Sequence, residues 1–489
     1  METTVTNVVS QAPERVDLLI RSKRILLERF DFDGSVGVVG ERIAGLYPRG
    51  HEPEAVRHID ATGLVVAPGL IDSHAHFRDP GFTHKEDFAH GTRAAALGGV
   101  TTVMDMPNVD PPTNSVETFL AHIENARGKS IVDFGHNAAG TDPSQIRGLA
   151  AAGATAFKIF MMQDVGRDYP HMPGTMVEDH GLLYELFGEI ASTGLVLMVH
   201  PHDQSLWRRF VGDAWERDGR GPGSYAKAWF RDEGLIFNSG VATALELQAA
   251  TGVPLHLLHT TNARTLSHVR WAKAQGQNVT TELNPHCLFL GGSWENIERL
   301  GPYALGVWVS DPHVEALWES VRNGELDIVG TDHAPHAQSE KEGGWDDMFA
   351  APGGSPAIQE FLSLFLTEVN AGRVDLRRVI ELCATSPAKR FGLYPHKGVI
   401  RVGADADLVL IDLAREVTLS HEMAASKAGY SAYAGQVVKG VPVTMLLRGT
   451  VIAEDGRVQV DPGFGQFLGD RFGRQEPKPQ TTKGMCDAY

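Results

Sequence analysis

Three cysteines in 489 residues, Cys287, Cys383 and Cys486, are too few and too scattered for a disulfide framework or a cysteine-held zinc knuckle. Any metal bound by this chain has to be held by nitrogen and oxygen. No apolar run reaches the ~18 residues that crossing a bilayer requires. The first 15 residues are polar and mixed in charge, without the apolar core of an export signal. The expectation is a cytoplasmic protein with no membrane partner. Basic side chains are in deficit, 44 against 61 acidic, and the net charge of −17 argues against a nucleic-acid surface. An acidic substrate would need a local cationic group. Dinucleotide-binding and phosphate-cradling glycine loops are also missing, and Gly343-Gly344 and Gly353-Gly354 read as turns.

The length suits a (β/α)8 barrel of typically ~250 residues with insertions and a smaller companion domain. Short β elements occur near both ends: Asp17–Ile20, Ile25–Leu27, Gly34–Val39 and Leu64–Val66, then Gly398–Gly403, Asp407–Asp412, Val443–Gly449 and Val451–Gly456. Their texture predicts one composite β-sandwich domain, residues 16–67 with 395–460, around a barrel at 68–394. Residues 461–489 read as a partly disordered extension, with a mobile tail from Gly473. Between the ends, strand and helix patterns alternate as a parallel α/β domain requires. In one unit Thr83-His-Lys-Glu86 has capping-box spacing and Gly98-Gly99 supplies a stop before Val100-Thr-Thr-Val-Met104. Residues 163–181 and 204–232 read as long loops inserted after site-bearing strands.

The chemistry begins at His74-Ala-His76, which ends an apolar run. Residues i and i+2 of a strand face the same way, so both imidazoles can serve one cation. Alone, such a pair is more often solvated or hydrogen-bonded to neighbours. Four further polar residues strengthen it, each at or near the end of its own apolar segment: Lys158, His200, His259 and Asp332. Catalytic groups of a (β/α)8 barrel come from the C-terminal ends of several strands, where these residues would fall.

A lysine facing inward is costly unless paired. Its stem can lie along apolar surface with the amine in water. Alternatively Lys158 has taken up carbon dioxide as N6-carboxylysine, a long carboxylate able to bridge two cations. In that assignment His74, His76 and Asp332 hold one metal and His200 and His259 the other. The centre then keeps a small positive charge, suited to a developing oxyanion. Asp332 is the catalytic proton carrier, from the attacking water to the leaving nitrogen. The competing view makes His200 and His259 core histidines satisfied by neighbours.

These residues resemble the amidohydrolase superfamily over roughly residues 16–469, and within it the cyclic-amide branch of dihydroorotase, allantoinase, hydantoinase and dihydropyrimidinase. The resemblance implies a (β/α)8 barrel with a composite sandwich, and two Zn2+ per subunit bridged by the carboxylated lysine, Mn2+ or Co2+ being possible with the same ligands. It implies a small cyclic amide as substrate and a homodimer or homotetramer. His74-Ala-His-Phe-Arg-Asp-Pro-Gly81, Met106-Pro-Asn108 and Asp332-His-Ala-Pro-His336 are most similar to dihydroorotase, where Arg78, Asn108 and His336 would grip a substrate carboxylate. A guanidinium forks onto a carboxylate through two parallel hydrogen bonds. Alternatively Arg78 forms a structural salt bridge with Asp79 or Glu86, Asn108 is a turn residue, and His336 supports a neighbour.

Two segments depart from the dihydroorotase pattern. Ser310-Asp-Pro-His-Val314 replaces an Asn-Pro-Pro-Leu-Arg type sequence, and residues 430–440 and 463–471 are more similar to hydantoinases. The first expectation is therefore a dihydroorotase-like hydrolase of a carboxylate-bearing ring. The alternative is a hydantoinase, dihydropyrimidinase or allantoinase type acting on a neutral ureide or imide. More remote readings are a non-catalytic scaffold and a metal-dependent lactonase.

Overall fold

Eight short strands, buried throughout except at half-buried Thr280, run parallel and in chain order: Leu70–Ala75, Val100–Asp105, Asp133–Ala139, Ala156–Phe160, Leu197–His200, Leu255–Leu257, Val279–Leu283 and Ile328–Val329. The computed structural model describes residues 13–163, 174–303 and 311–472. Beyond the last strand, His76 N donates to His333 O at 2.8 Å beside a parallel bridge between Ala75 and His333, so the eighth strand's extension meets the first. A sheet buried on both faces needs a core on each. Ile71, Met104, Ala156, Met198 and Ile328 share one apolar cluster, while Val103, Phe157, Ile159 and Val199 pack with helix residues such as Phe88, Leu186 and Phe187. The result is the (β/α)8 barrel.

Both chain ends meet in one sheet. Arg15–Leu26 pairs antiparallel with Asp31–Val39 and parallel with Val65–Pro68, which pairs antiparallel with Leu408–Thr418. Val437–Leu447, Thr450–Glu454 and Arg457–Val458 extend it on one side, and Arg42–Pro48 ends it on the other. Leu18, Ile20, Val36, Val66, Leu408 and Leu446 form its core. Two of its strands, Arg42–Pro48 and Glu54–Asp60, were too interrupted by glycine and charge to read from sequence. Gly398–Gly403 is not a strand; Val399 and Ile400 are buried as a turn-rich segment against that core.

Below the barrel a buried ion cluster ties the two parts together. Lys397 Nζ lies 2.8 Å from Asp133 Oδ2, 2.6 Å from Asp407 Oδ2 and 3.4 Å from Asp405 Oδ2, and Arg448 pairs with Asp133. Burial by itself would lower the lysine's pKa, but the three carboxylates hold it above the ordinary value.

Two local expectations are corrected. The first barrel helix is Phe88–Leu97 and its N-cap is Asp87, whose side chain accepts from His90 N, rather than Thr83. Glu86, the supposed capping-box acid, is drawn away to Ser426 Oγ at 2.5 Å. Residues 204–232 are mainly helical: Gln204–Arg217, capped by Asp203, and Pro222–Trp229 precede Arg231–Thr251. Their Arg, Gly and Trp content mimics a loop, yet Trp207, Phe210, Val211 and Ala214 recur at helical spacing and are buried. Most of the 163–181 insertion, Ser310 of the 310–314 segment and the tail 473–489 lie outside the described residues. Ahead of that tail, Phe134 N donates to Gln466 O at 3.0 Å, which fixes residues near 466 to the barrel. No helix among the described residues is long and apolar enough to cross a membrane.

Candidate metal centre

Of the six residues singled out from the sequence, Lys158 sits mid-strand and the other five lie at the C-terminal ends of barrel strands or just beyond them. His74 lies in the first strand, where pairing with the second shifts register between Asp72 and Ala75. Such an irregularity re-aims side chains beside a site. Lys158 is central in the fourth strand and His200 ends the fifth. His259 and Asp332 follow the sixth and eighth with φ of 57° and 49°, and Arg78 follows the first with φ of 62°. Non-glycine residues in this region cost roughly 1–3 kcal/mol each and concentrate at functional sites.

The rings converge. His74 Nε2 and His76 Nε2 lie 3.3 and 3.2 Å from the same oxygen of Asp332, and His259 Nδ1 lies 3.6 Å from the other. The His200 and His259 ring centroids are 4.5 Å apart, and those of His74 and His259 5.1 Å. Burial pushes His74 and His259 down to about 3 and His76 to about 4, so each is neutral and able to donate a lone pair at physiological pH. Burial opposes ionisation of Asp332, but the surrounding imidazoles hold it well below the usual carboxylate range. Its side chain keeps 17% exposure, toward the barrel mouth.

Lys158 is 0% exposed and its Nζ has no hydrogen-bond partner among the described residues. The view of an amine reaching water at the rim is therefore incorrect: the strand places it too deep. Burial lowers its pKa to about 7, with Asp332 and Glu282 opposing the fall. An amine close to half deprotonated at neutral pH has the free lone pair that addition to carbon dioxide needs. The donor set of neutral imidazoles, one carboxylate and an orphaned buried amine fits a pair of divalent cations with Lys158 as carbamate.

A second set of side chains orients the first, and most of it went unread in the sequence. Glu282 Oε1 lies 2.7 Å from His74 Nδ1, Asn108 Oδ1 2.7 Å from His76 Nδ1, and Asn284 Oδ1 2.7 Å from His259 Nδ1. Asp72 accepts from His74 N and Thr331 N at 3.1 and 3.0 Å, and burial raises its pKa to about 7. Asp105 Oδ1 accepts from Phe77 N at 2.8 Å, while Oδ2 lies 3.2 Å from His122 Nε2 and 3.4 Å from His136 Nδ1. Acidic residues in apolar strands, such as Glu282 in Val279–Leu283, were the available signal.

Arg78 is buried beside this centre. Its Nε donates to Pro335 O at 3.3 Å and its Nη2 lies 3.3 Å from His336 Nε2. The salt-bridge partners considered for it are engaged elsewhere: Asp79 by Lys129 Nζ at 2.8 Å and Glu86 by Ser426. On the other side, the helices after His200 stack aromatics: Trp229 lies 4.9 Å from Trp207, 5.7 Å from Tyr225, 5.2 Å from Phe237 and 5.5 Å from His202.

A parallel barrel with imidazoles, a carboxylate and a buried lysine converging at its C-terminal rim defines the class of barrel metal enzymes. The sequence profile of the Amidohydrolase family matches residues 65–452. The L-hydantoinase of Paenarthrobacter aurescens is 34% identical over 464 residues, 92% of this chain and 98% of that protein. A dihydroorotase of Methanosarcina acetivorans is 34% identical over 84% of this chain and 86% of its own length. The solved structure of L-hydantoinase (dihydropyrimidinase) from Arthrobacter aurescens superposes with a TM-score of 0.87 at 33% identity, covering 92% of this chain and 99% of that one. The chain belongs to the amidohydrolase family, a family of dinuclear metal enzymes, and is a hydrolase of its cyclic-amide branch.

Proposed function

We propose that the protein opens the ring C–N bond of a cyclic ureide, as a hydantoinase or dihydropyrimidinase does. The observation that carries this reading is the convergence of His74, His76 and His259 on Asp332 beside the orphaned amine of Lys158. Full-length similarity to an L-hydantoinase in sequence and fold supports a ureide over the carboxylate-bearing ring first expected. The aromatic block around Trp229 is buried in the core and backs His200 through Phe237, whose ring centroid lies 6.2 Å from that of His200.

In this reading His74, His76 and Asp332 would hold one zinc ion, His200 and His259 would hold a second, and Lys158 would serve both. The Lys158 nitrogen would add to carbon dioxide, forming an N–C bond and releasing one proton, and as a carbamate it would supply oxygen donors to the cations. When bound, the cation pair acidifies a water and polarises a carbonyl. Asp332, partly open to the mouth, takes the proton that the attacking water sheds. It delivers that proton to the ring nitrogen as the C–N bond breaks, leaving a carboxylic acid derivative and a free ureido nitrogen. The bonds of Glu282 and Asn108 to Nδ1 leave Nε2 of His74 and His76 facing Asp332, and the bond of Asn284 to Nδ1 holds the His259 ring.

A second reading, hydrolysis of a carboxylate-bearing dihydroorotate-type ring, is favoured by the buried Arg78–His336 pair. The test is a panel of 5-substituted hydantoins, dihydrouracil, allantoin and dihydroorotate with zinc-loaded enzyme, repeated for Arg78→Met. Preferential turnover of neutral rings, with the arginine dispensable for them, supports the ureide reading. Preference for dihydroorotate, lost on substitution of Arg78, replaces it with the second.

A further inference from the structure

Glu282 lies in the seventh strand, 0% exposed, and takes no direct part in the hydrolysis described above. Its Oε1 accepts from His74 Nδ1 at 2.7 Å and from Asn284 Nδ2 at 3.2 Å, and its Oε2 lies 3.4 Å from His256 Nε2. His256 is fixed in turn by Thr280 Oγ1 at 2.8 Å from its Nδ1. Asn284 passes the connection on, with Nδ2 donating to Gly330 O at 3.0 Å and Oδ1 accepting from His259 Nδ1 at 2.7 Å. One carboxylate thus reaches His74 directly and His259 through a single amide. Those two rings belong to different halves of the centre.

Room for this carboxylate depends on Gly330. A β-carbon there would sit 2.2 Å from Glu282 Oε2 and 2.4 Å from its carboxyl carbon. The flexible end of the glutamate, not backbone, would have to yield.

We infer that Glu282 is the positioning residue of the centre: through His74, and through Asn284 to His259, it presents the Nε2 lone pairs of both halves, and Gly330 is small in order to admit it. This rests on the two-metal reading. A carboxylate accepting the Nδ1 proton fixes which nitrogen faces the cation and raises that nitrogen's basicity, and losing such a partner typically weakens metal affinity ~10–100-fold. Gly330→Ala should act the same way without removing any ionisable group.

The test is metal content per chain, by elemental analysis, after dialysis of zinc-loaded wild type, Glu282→Gln and Gly330→Ala against a graded series of chelator, with thermal unfolding of each. The expected result is two ions per wild-type chain and, for both variants, release at ~10–100-fold lower chelator concentration. Cobalt-loaded Glu282→Gln should also show an altered visible absorption spectrum, which a merely structural role would leave in place. Should Glu282→Gln fail to fold, Gly330→Ala decides. Wild-type release midpoints in the folded variants overturn the role of Glu282 alone. A wild type that holds no stoichiometric metal overturns the two-metal reading as well.

Discussion

The carboxamide oxygen of Asn108 lies 2.7 Å from Nδ1 of His76 and so works on a metal-ligand candidate. The family resemblance places Asn108 among the groups gripping substrate, with a turn residue as the alternative. With its oxygen spent on the imidazole, Asn108→Ala should reduce turnover ~10–100-fold alongside metal retention. Acidic and neutral rings should suffer alike. Kinetics on one ring of each kind checks this, and a loss confined to acidic rings would assign Asn108 to substrate recognition instead.

Lys158→Ala removes the amine that stands orphaned among the imidazoles. Activity should fall by about three orders of magnitude or more, on the scale of losing a group essential to the chemical step. Short carboxylates such as acetate or propionate, which can enter the vacated space, should restore part of it. Mass spectrometry of the native wild type should show an added CO2 that the variant lacks. Wild-type rates for the variant would eliminate the carbamate.

Glu360 provides a pH-dependent test at a carboxyl outside the candidate ligand set. Burial raises its carboxyl from 4.5 to about 7, against a hydrogen bond from Ser431 that favours the ionised form. The folded protein therefore binds a proton that the unfolded chain releases, and stability falls as pH climbs from 4.5 through about 7. The loss is on the order of 3 kcal/mol at ~1.4 kcal/mol per unit. Glu360→Gln should unfold close to wild type at pH near 5 and at a higher temperature near pH 8. A temperature difference that is the same at both pH values contradicts this.

Lys397→Met would take from Asp407 the amine now at 2.6 Å, while Asp133 keeps Arg448 and Asp405 keeps Arg471 at 2.9 Å. Breaking a buried ion pair from one side costs ~3–5 kcal/mol. Thermal unfolding should drop by several degrees, while the metal content of the folded fraction stays at the wild-type level, since the cluster lies under the barrel. Unchanged unfolding would show that the cluster contributes little.

Much of this molecule is legible along the chain. His74 and His76 share a face because strand periodicity is local, and Lys158 stands out because an ammonium inside an apolar strand demands an explanation wherever the strand goes. The helix start at Asp87 is not legible from spacing, since Thr83 and Glu86 have the right spacing but Glu86 bonds Ser426, 340 residues away, and the helices within 204–232 are hidden by their Arg, Gly and Trp content. Capping spacing is a local signal, and a distant partner overrode it.

The sequence by itself determined the order of the candidate site residues along the barrel strands, their nitrogen and oxygen chemistry, and a sheet built from both termini. Only the tertiary structure decided that Glu282 meets His74 across 208 positions, that Asn108 serves His76, and that Lys397 fills the gap among three aspartates. Periodicity and residue chemistry travel with the chain, whereas burial and the partners that compensate it exist only once the barrel has closed and water has left.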